Sequence, residues 1–140
     1  MESLVWKDEL SLGVDALDND HKLLVNLVNE FYIAILSSGY SAEVIVNRIY
    51  LLLRDTKEHF SREERWMRDA KYPEYSDHKM EHEDLIEEVN EMILGFIKYP
   101  TKNNAEKLYG HLSEWLVNHI ITYDALVATH IKNSKGITGT

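Results

Sequence analysis

The stretch 73-PEYSDHKMEHEDLIEEVNEMILGFIKYP-100 decides how the whole chain reads. Pro73 can open a helix, because its missing N–H would be unpaired in the first turn anyway. Pro100 closes it by pushing the residue before it out of the helical region, so one helix is expected from Pro73 to Tyr99. Leu85, Ile86, Val89, Met92, Ile93 and Phe96 make its apolar stripe. His78 and His82 continue that stripe in the rhythm His78, His82, Leu85, Val89. Their imidazoles therefore face the core.

Working outward, the same start and stop signals lay out three more helices. The first is expected from Asp18, a cap residue, to Ser38, with Gly39 as terminator and Leu24, Leu27, Val28, Phe31 and Ile35 on one side. The second is expected from Ser41 to Ala70, with Ile45, Ile49, Leu52, Leu53, Trp66 and Met67 on its stripe. The fourth is expected to open at 103-NNAE-106, where Asn103 and Glu106 resemble a capping box, and to run to Lys132. Leu108, Leu112, Trp115, Leu116, Tyr123 and Val127 line it. Four long amphipathic helices with short loops pack best as an all-α, up-down-up-down four-helix bundle. The expected organisation is an N-terminal arm over 1–17, carrying Trp6, Leu10, Leu12 and Val14 for packing, the bundle over 18–133, and a flexible tail over 134–140.

With 140 residues the chain suits one domain. A net charge of −9 argues against a nucleic-acid partner and against an anionic membrane surface. No apolar run approaches the length of a bilayer span, so membrane insertion is not expected. The absence of cysteine excludes disulfides, iron–sulfur clusters and thiolate zinc sites, and leaves histidine ligation open. MESLVWKDEL carries charges where a signal peptide needs an apolar run, so a cytoplasmic protein is expected.

The remaining histidines fall into the same layer. His59 and Glu63 stand four apart, and Leu52, Thr56, His59, Glu63 and Trp66 follow one helical face. His21 and His59 each lie roughly 16 residues from the first loop, and so do His82 and His119 from the last, or ~24 Å along each rod. His78 sits one turn below. Five imidazoles and a glutamate thus converge at one depth, and buried imidazoles without an ion would leave many nitrogens unsatisfied. Asp124 follows His119 by five residues, ~140° around an ideal helix. It reaches the centre only if the two side chains flank it or a local helix distortion unites them. His111 and His130 fall off this layer.

Five nitrogens and two carboxylates exceed what one zinc takes. They suit two borderline metals bridged by the carboxylates. For two six-coordinate ions, five imidazoles, two bridging carboxylates and one bridging oxygen fill every position but one. A redox-active pair with a single vacancy in an apolar pocket suits a small diatomic ligand.

The motifs 13-GVDALDNDHK-22, 59-HFSREERWM-67, 78-HKMEH-82 and 115-WLVNHIITYD-124 resemble, in order, those of the hemerythrin family, specifically its bacterial branch. The resemblance spans residues 6 to 130 and implies a four-helix bundle with two iron ions in a non-haem, oxo- or hydroxo-bridged centre. It implies that His78, His82 and His119 hold one iron, that His21 and His59 hold the other, which keeps the vacancy, and that Glu63 and Asp124 bridge. It further implies reversible O2 binding, with O2 held as hydroperoxide and hydrogen-bonded by the bridging oxygen. One departure is Asp55, where bacterial relatives often carry an aromatic residue before Thr56. It either lies beside the site and alters hydrogen bonding around it, or faces water.

Carboxylate-rich di-iron bundles favour oxidation chemistry, whereas neutral imidazoles donate less charge to high-valent iron, so binding is expected over O–O cleavage. Trp66, Trp115, Leu116 and Ile120 are candidates for the apolar wall, with Trp115 and Leu116 expected at the O2 pocket; plain core packing is the competing reading of Trp66 and Ile120. The acidic run 81-EHEDLIEE-88, apart from His82 and its aliphatics, reads as a solvated helix face. The leading expectation is an oxygen-binding protein for carriage, storage or delivery rather than an enzyme. The alternatives are a di-iron enzyme or scavenger acting on peroxide or nitric oxide, and an oxygen sensor. A separate oxygen-using enzyme or signalling protein is the partner either reading allows.

Overall fold

The computed structural model describes residues 2–138, with side chains to 134. Four helices fill the intervals between breakers: α1 (Asp15–Leu36), α2 (Ala42–Asp69), α3 (Tyr75–Lys98) and α4 (Lys102–His119). A five-residue π-helical segment, Ile120–Asp124, joins α4 without a break to α5 (Ala125–Thr138), making one fourth rod. In cyclic order α1 packs on α2, α2 on α3, α3 on α4 and α4 on α1, the up-down-up-down bundle that short loops dictate. No other regular element beyond a short 3-10 turn at Asp8–Leu10 occurs among the described residues.

Local chemistry explains the ends. Ser41 caps α2, its hydroxyl accepting the Val44 N–H at 3.3 Å. At the far end of α2, Lys71 takes a left-handed φ of 55°. Its N–H then meets the Arg68 carbonyl and the Tyr72 N–H meets that of Met67, which satisfies two otherwise orphaned carbonyls. Two caps differ from those read in sequence. Thr101, not Asn103, caps α4 by accepting the Asn104 N–H at 3.1 Å. Asp18 lies inside α1, which starts after Val14. Its carboxylate reaches back to accept from Leu12 N–H at 2.8 Å and Ser11 Oγ at 3.1 Å, so it ties the arm to the helix instead of starting it.

The arm ahead of Asp15 is pinned along its length. Leu4 exchanges two hydrogen bonds with the Asn29 amide, Leu10 is buried, and Lys132 donates to the Leu12 carbonyl at 2.9 Å. The main apolar core runs from Leu24 through Phe31 and Ile35 on α1, Ile45 and Ile49 on α2, Ile93 and Phe96 on α3, to Leu108 and Leu112 on α4. A smaller cluster of Leu17, Met67, Val127, Ala128 and Ile131 closes the other end. The polar layer lies between the two. Backbone helix continues to Thr138; residues 139 and 140, the end of the expected tail, lie outside the described residues, as do the side chains from 135 onward. No described helix is long and apolar enough to cross a membrane.

Candidate metal centre

All seven polar residues singled out in the sequence are buried: His21, His59, Glu63, His78, His82, His119 and Asp124 are each 2% exposed or less. Each helix supplies them from its core stripe, His21 on α1, His59 and Glu63 on α2, His78 and His82 on α3, and His119 on α4. Asp124 reaches the same centre because the fourth rod loosens locally. The Ala125 N–H donates to the Ile120 carbonyl, five residues back instead of four, and this π-type turn brings position i+5 round to the face of His119. His119 Nε2 then lies 3.0 Å from Asp124 Oδ1.

The side chains form two overlapping groups, Glu63, His78, His82, His119 and Asp124 in one, and His21, His59, Glu63 and Asp124 in the other. Within each, one potential ligand atom per residue lies within 4.8 Å of every other. Glu63 and Asp124 belong to both. His78 Nε2 is 2.6 Å and His82 Nε2 3.2 Å from Glu63 Oε1, His59 Nε2 is 3.4 Å from Glu63 Oε2, and His21 Nε2 is 2.8 Å from Asp124 Oδ2. Nevertheless the Nε2 atoms of His59, His78, His82 and His119, both Glu63 oxygens and Asp124 Oδ1 are buried without a well-directed hydrogen bond. Lone pairs converging on shared points, with two buried carboxylates side by side, are costly unless cations occupy those points. The donor set fits metal ions with nitrogen and oxygen preference.

Electrostatics agree. Burial pushes the His59 pKa down, but the carboxylates of Asp20, Glu63 and Asp124 outweigh it and hold it up at about 9. Burial likewise opposes, and the Asp124 and Glu63 charges overcome, in His78, raised to about 9, and in His119, raised to about 10. Burial and the neighbouring Asp124 charge would raise Glu63, yet the surrounding imidazoles hold it at about 2. Asp124, despite burial, is held well below the usual carboxylate range by His119, His21 and His78. The metal-free centre is therefore a proton-holding cluster from which a cation must displace protons.

A ring of three further carboxylates was not legible as part of the site. Asp20 accepts from His59 Nδ1 at 2.8 Å, Glu64 from His82 Nδ1 at 3.0 Å, and Glu81 approaches His119 Nδ1 at 3.4 Å. Each is the sequence neighbour of one ligand candidate and serves an imidazole on the next helix: Asp20 beside His21 serves α2, Glu64 beside Glu63 serves α3, Glu81 beside His82 serves α4. Such partners fix the tautomer so that the Nε2 lone pair faces inward, and raise its basicity. Asp20 also takes two hydrogen bonds from Arg62, at 2.9 and 3.0 Å. Glu81 thereby departs from the solvated face expected for residues 81–88. The signal available in sequence was the carboxylate flanking the ligand candidates His21, Glu63 and His82; the helix it would reach was not.

One turn beyond the polar layer, toward the loop between α1 and α2, lies an apolar cavity of about 20 Å³. Leu24, Thr56, Leu85 and Leu116 wall it from four helices, each three residues from a histidine, and Trp115 adjoins them. That volume admits about one water-sized molecule. Its one hydroxyl, Thr56 Oγ1, donates to the Leu52 carbonyl at 2.7 Å and is not free to donate into the cavity. Ile120 is packed in the core and Trp66 lines a groove at the other end of the bundle with Val14, Ala70 and Ile131; neither borders this cavity. Asp55 pairs with Arg54 at 3.3 Å and makes no hydrogen bond to the ligand candidates. His111 is exposed, and His130 donates to the Ala70 carbonyl at 2.6 Å at the end of α2.

These features define a class, a histidine-rich cation-binding four-helix bundle. A family profile described as "Hemerythrin HHE cation binding domain" matches residues 12–130. A bacteriohemerythrin of Pseudomonas aeruginosa is 35% identical over 134 residues, covering 96% of this chain and 85% of the relative. One from Clostridium acetobutylicum is 30% identical over 122 residues, covering 86% and 95%. A myohemerythrin of Theromyzon tessulatum is 28% identical over 119 residues, covering 85% and 86%. A crystal structure of wild-type hemerythrin superposes with a TM-score of 0.80 at 24% identity, covering 93% of this chain and 98% of that one, which is likeness of fold. The chain belongs to the hemerythrin family.

Proposed function

We propose that the protein binds O2 reversibly at a non-haem di-iron centre, for carriage, storage or delivery. The observation that carries the reading is the pair of overlapping ligand groups sharing Glu63 and Asp124. His78, His82 and His119 would hold one iron, His21 and His59 the other, and Glu63 and Asp124 would bridge. The iron pair, when bound, supplies the electrons and the open coordination position. The chain does the rest. Asp20, Glu64 and Glu81 keep the imidazoles in the ligating tautomer. Leu24, Leu85 and Leu116 keep water from the gas-sized cavity, and Thr56, committed to its own helix, hands no proton to a guest. Mostly neutral ligands favour holding O2 over cleaving it.

The proposal extends to a cytoplasmic protein serving a separate oxygen-using enzyme or signalling partner. Its acidity, a net charge of −9, favours a protein partner over nucleic acid. The test is anaerobic reduction, admission of O2, and removal of O2 under inert gas. The expected result is two irons per chain and a visible charge-transfer band that appears with O2 and fades without added reductant. Rapid irreversible oxidation, or turnover with peroxide or nitric oxide, would replace carriage by the scavenger reading.

A further inference from the structure

Three rings stack along the fourth rod. Trp115 lies 4.9 Å from His119 with planes 21° apart, and Tyr123, one turn to the other side, lies 5.5 Å away with planes 20° apart. His119 is 2% exposed and belongs to the polar centre, whereas Tyr123 is 41% exposed and Trp115 is half-buried. Trp115 surfaces in a groove of about 350 Å³ between α3 and α4, walled by Leu85, Val89, Met92 and Leu112, with Glu88 and Glu114 at its rim. Tyr123 owes its place to the π-helical segment that also swings Asp124 inward. Stacked aromatic rings offer a short, well-coupled route for electron tunnelling, and here Trp115 and Tyr123 are both in face contact with one buried imidazole.

We propose that the Trp115–His119–Tyr123 stack is the electron-exchange port of the centre, through which a one-electron donor with a positively charged face returns the oxidised iron pair to its ferrous state. This rests on the di-iron reading above. Each transfer oxidises one donor molecule by one electron and converts one iron(III) to iron(II); two transfers complete the reduction. Trp115 and Tyr123 end as they began, and no bond in the chain forms or breaks. The donor's charge follows from Glu81 beside Tyr123, from Glu88 and Glu114 at the groove rim, and from the net charge of −9, which together steer cations toward this face.

The test uses iron-loaded, oxidised full-length protein, reduced anaerobically in a stopped flow by the cationic hexaammineruthenium(II) complex or by the anionic iron(II)–EDTA complex. The cation should react faster and lose its advantage as salt rises. Tyr123→Leu and Trp115→Leu should each slow reduction several-fold with two irons still bound, while Tyr50→Leu, an exposed tyrosine on α2, should not. In zinc-loaded protein, flash oxidation should leave a radical at Tyr123 or Trp115, seen by electron paramagnetic resonance and lost in the variants. Unchanged reduction rates in an iron-replete Tyr123→Leu protein, or a radical residing elsewhere, overturn the port while leaving the di-iron reading intact. Failure of the parent protein to bind iron overturns both.

Discussion

Glu64→Gln removes one negative charge from the rim of the centre while keeping the shape of the side chain. Glu64 Oε2 accepts from His82 Nδ1 at 3.0 Å, with His82 2% and Glu64 16% exposed, so water does not readily replace the bond. The amide still accepts a hydrogen bond, but it no longer polarises the imidazole with a full charge. Loss of such an outer partner costs about 10- to 100-fold in metal affinity. That corresponds to about 1.4–2.7 kcal/mol, at about 1.4 kcal/mol per factor of ten. Glu81→Gln should lie at or below the lower end, because its contact to His119 is 3.4 Å long and Glu81 is 23% exposed. Asp20→Asn should fall between them, since Arg62 already draws on the Asp20 charge. Anaerobic competition for iron(II) against a calibrated chelator measures all three. Parent-like affinity in Glu64→Gln, or a larger loss in Glu81→Gln, refutes the ring of orienting carboxylates.

The metal-free protein should be most stable in mildly acidic solution. His59, His78 and His119 have folded pKa values raised from 6.5 to about 9, 9 and 10, so their contribution is complete below 6.5 and lost as pH climbs through about 9 to 10. Glu63 is depressed from 4.5 to about 2, so its contribution is complete above 4.5 and lost as pH falls through about 2. Thermal melts with chelator present, followed by circular dichroism, should show a lower midpoint at about pH 9.5 than at about pH 6; an equal or higher one contradicts the electrostatic account. Asp18→Ala should cost about 1–3 kcal/mol by orphaning the Leu12 N–H and releasing Ser11. Hydrogen exchange at Leu12 should quicken while exchange in α3 stays slow, and unchanged protection at Leu12 would show that the arm is held by its apolar contacts alone.

Much of the fold was legible because periodicity and breakers act locally. Pro73, Gly39 and Pro100 mark where helices cannot continue, and stripes such as Leu85, Val89, Ile93 and Phe96 say which side turns inward. The caps were less legible. Asp18 and Asn103 both have cap chemistry, but Asp18 found the Leu12 N–H and the Ser11 hydroxyl in the arm, and Thr101 immediately precedes the true start of α4. Helix spacing alone could not decide Asp124, because five residues overshoot an ideal turn, and only the π-type segment returns it to the face of His119.

By itself the sequence determined the bundle, the depth at which its polar residues meet, and the candidate ligands gathered there other than Asp124, since these follow from residue spacing along the helices and from short loops. The tertiary structure alone decided which carboxylate orients which imidazole, that Glu81 serves the centre rather than the solvent, and that Trp115 and Tyr123 lie face to face with His119. The ring of carboxylates depends on rotations and offsets between separate rods, set by side-chain packing across their interfaces, and no periodicity within one helix encodes them. The Tyr123 side of the ring stack depends on how far the fourth rod unwinds at Ile120–Asp124, a local loosening that residue spacing on an ideal helix does not encode.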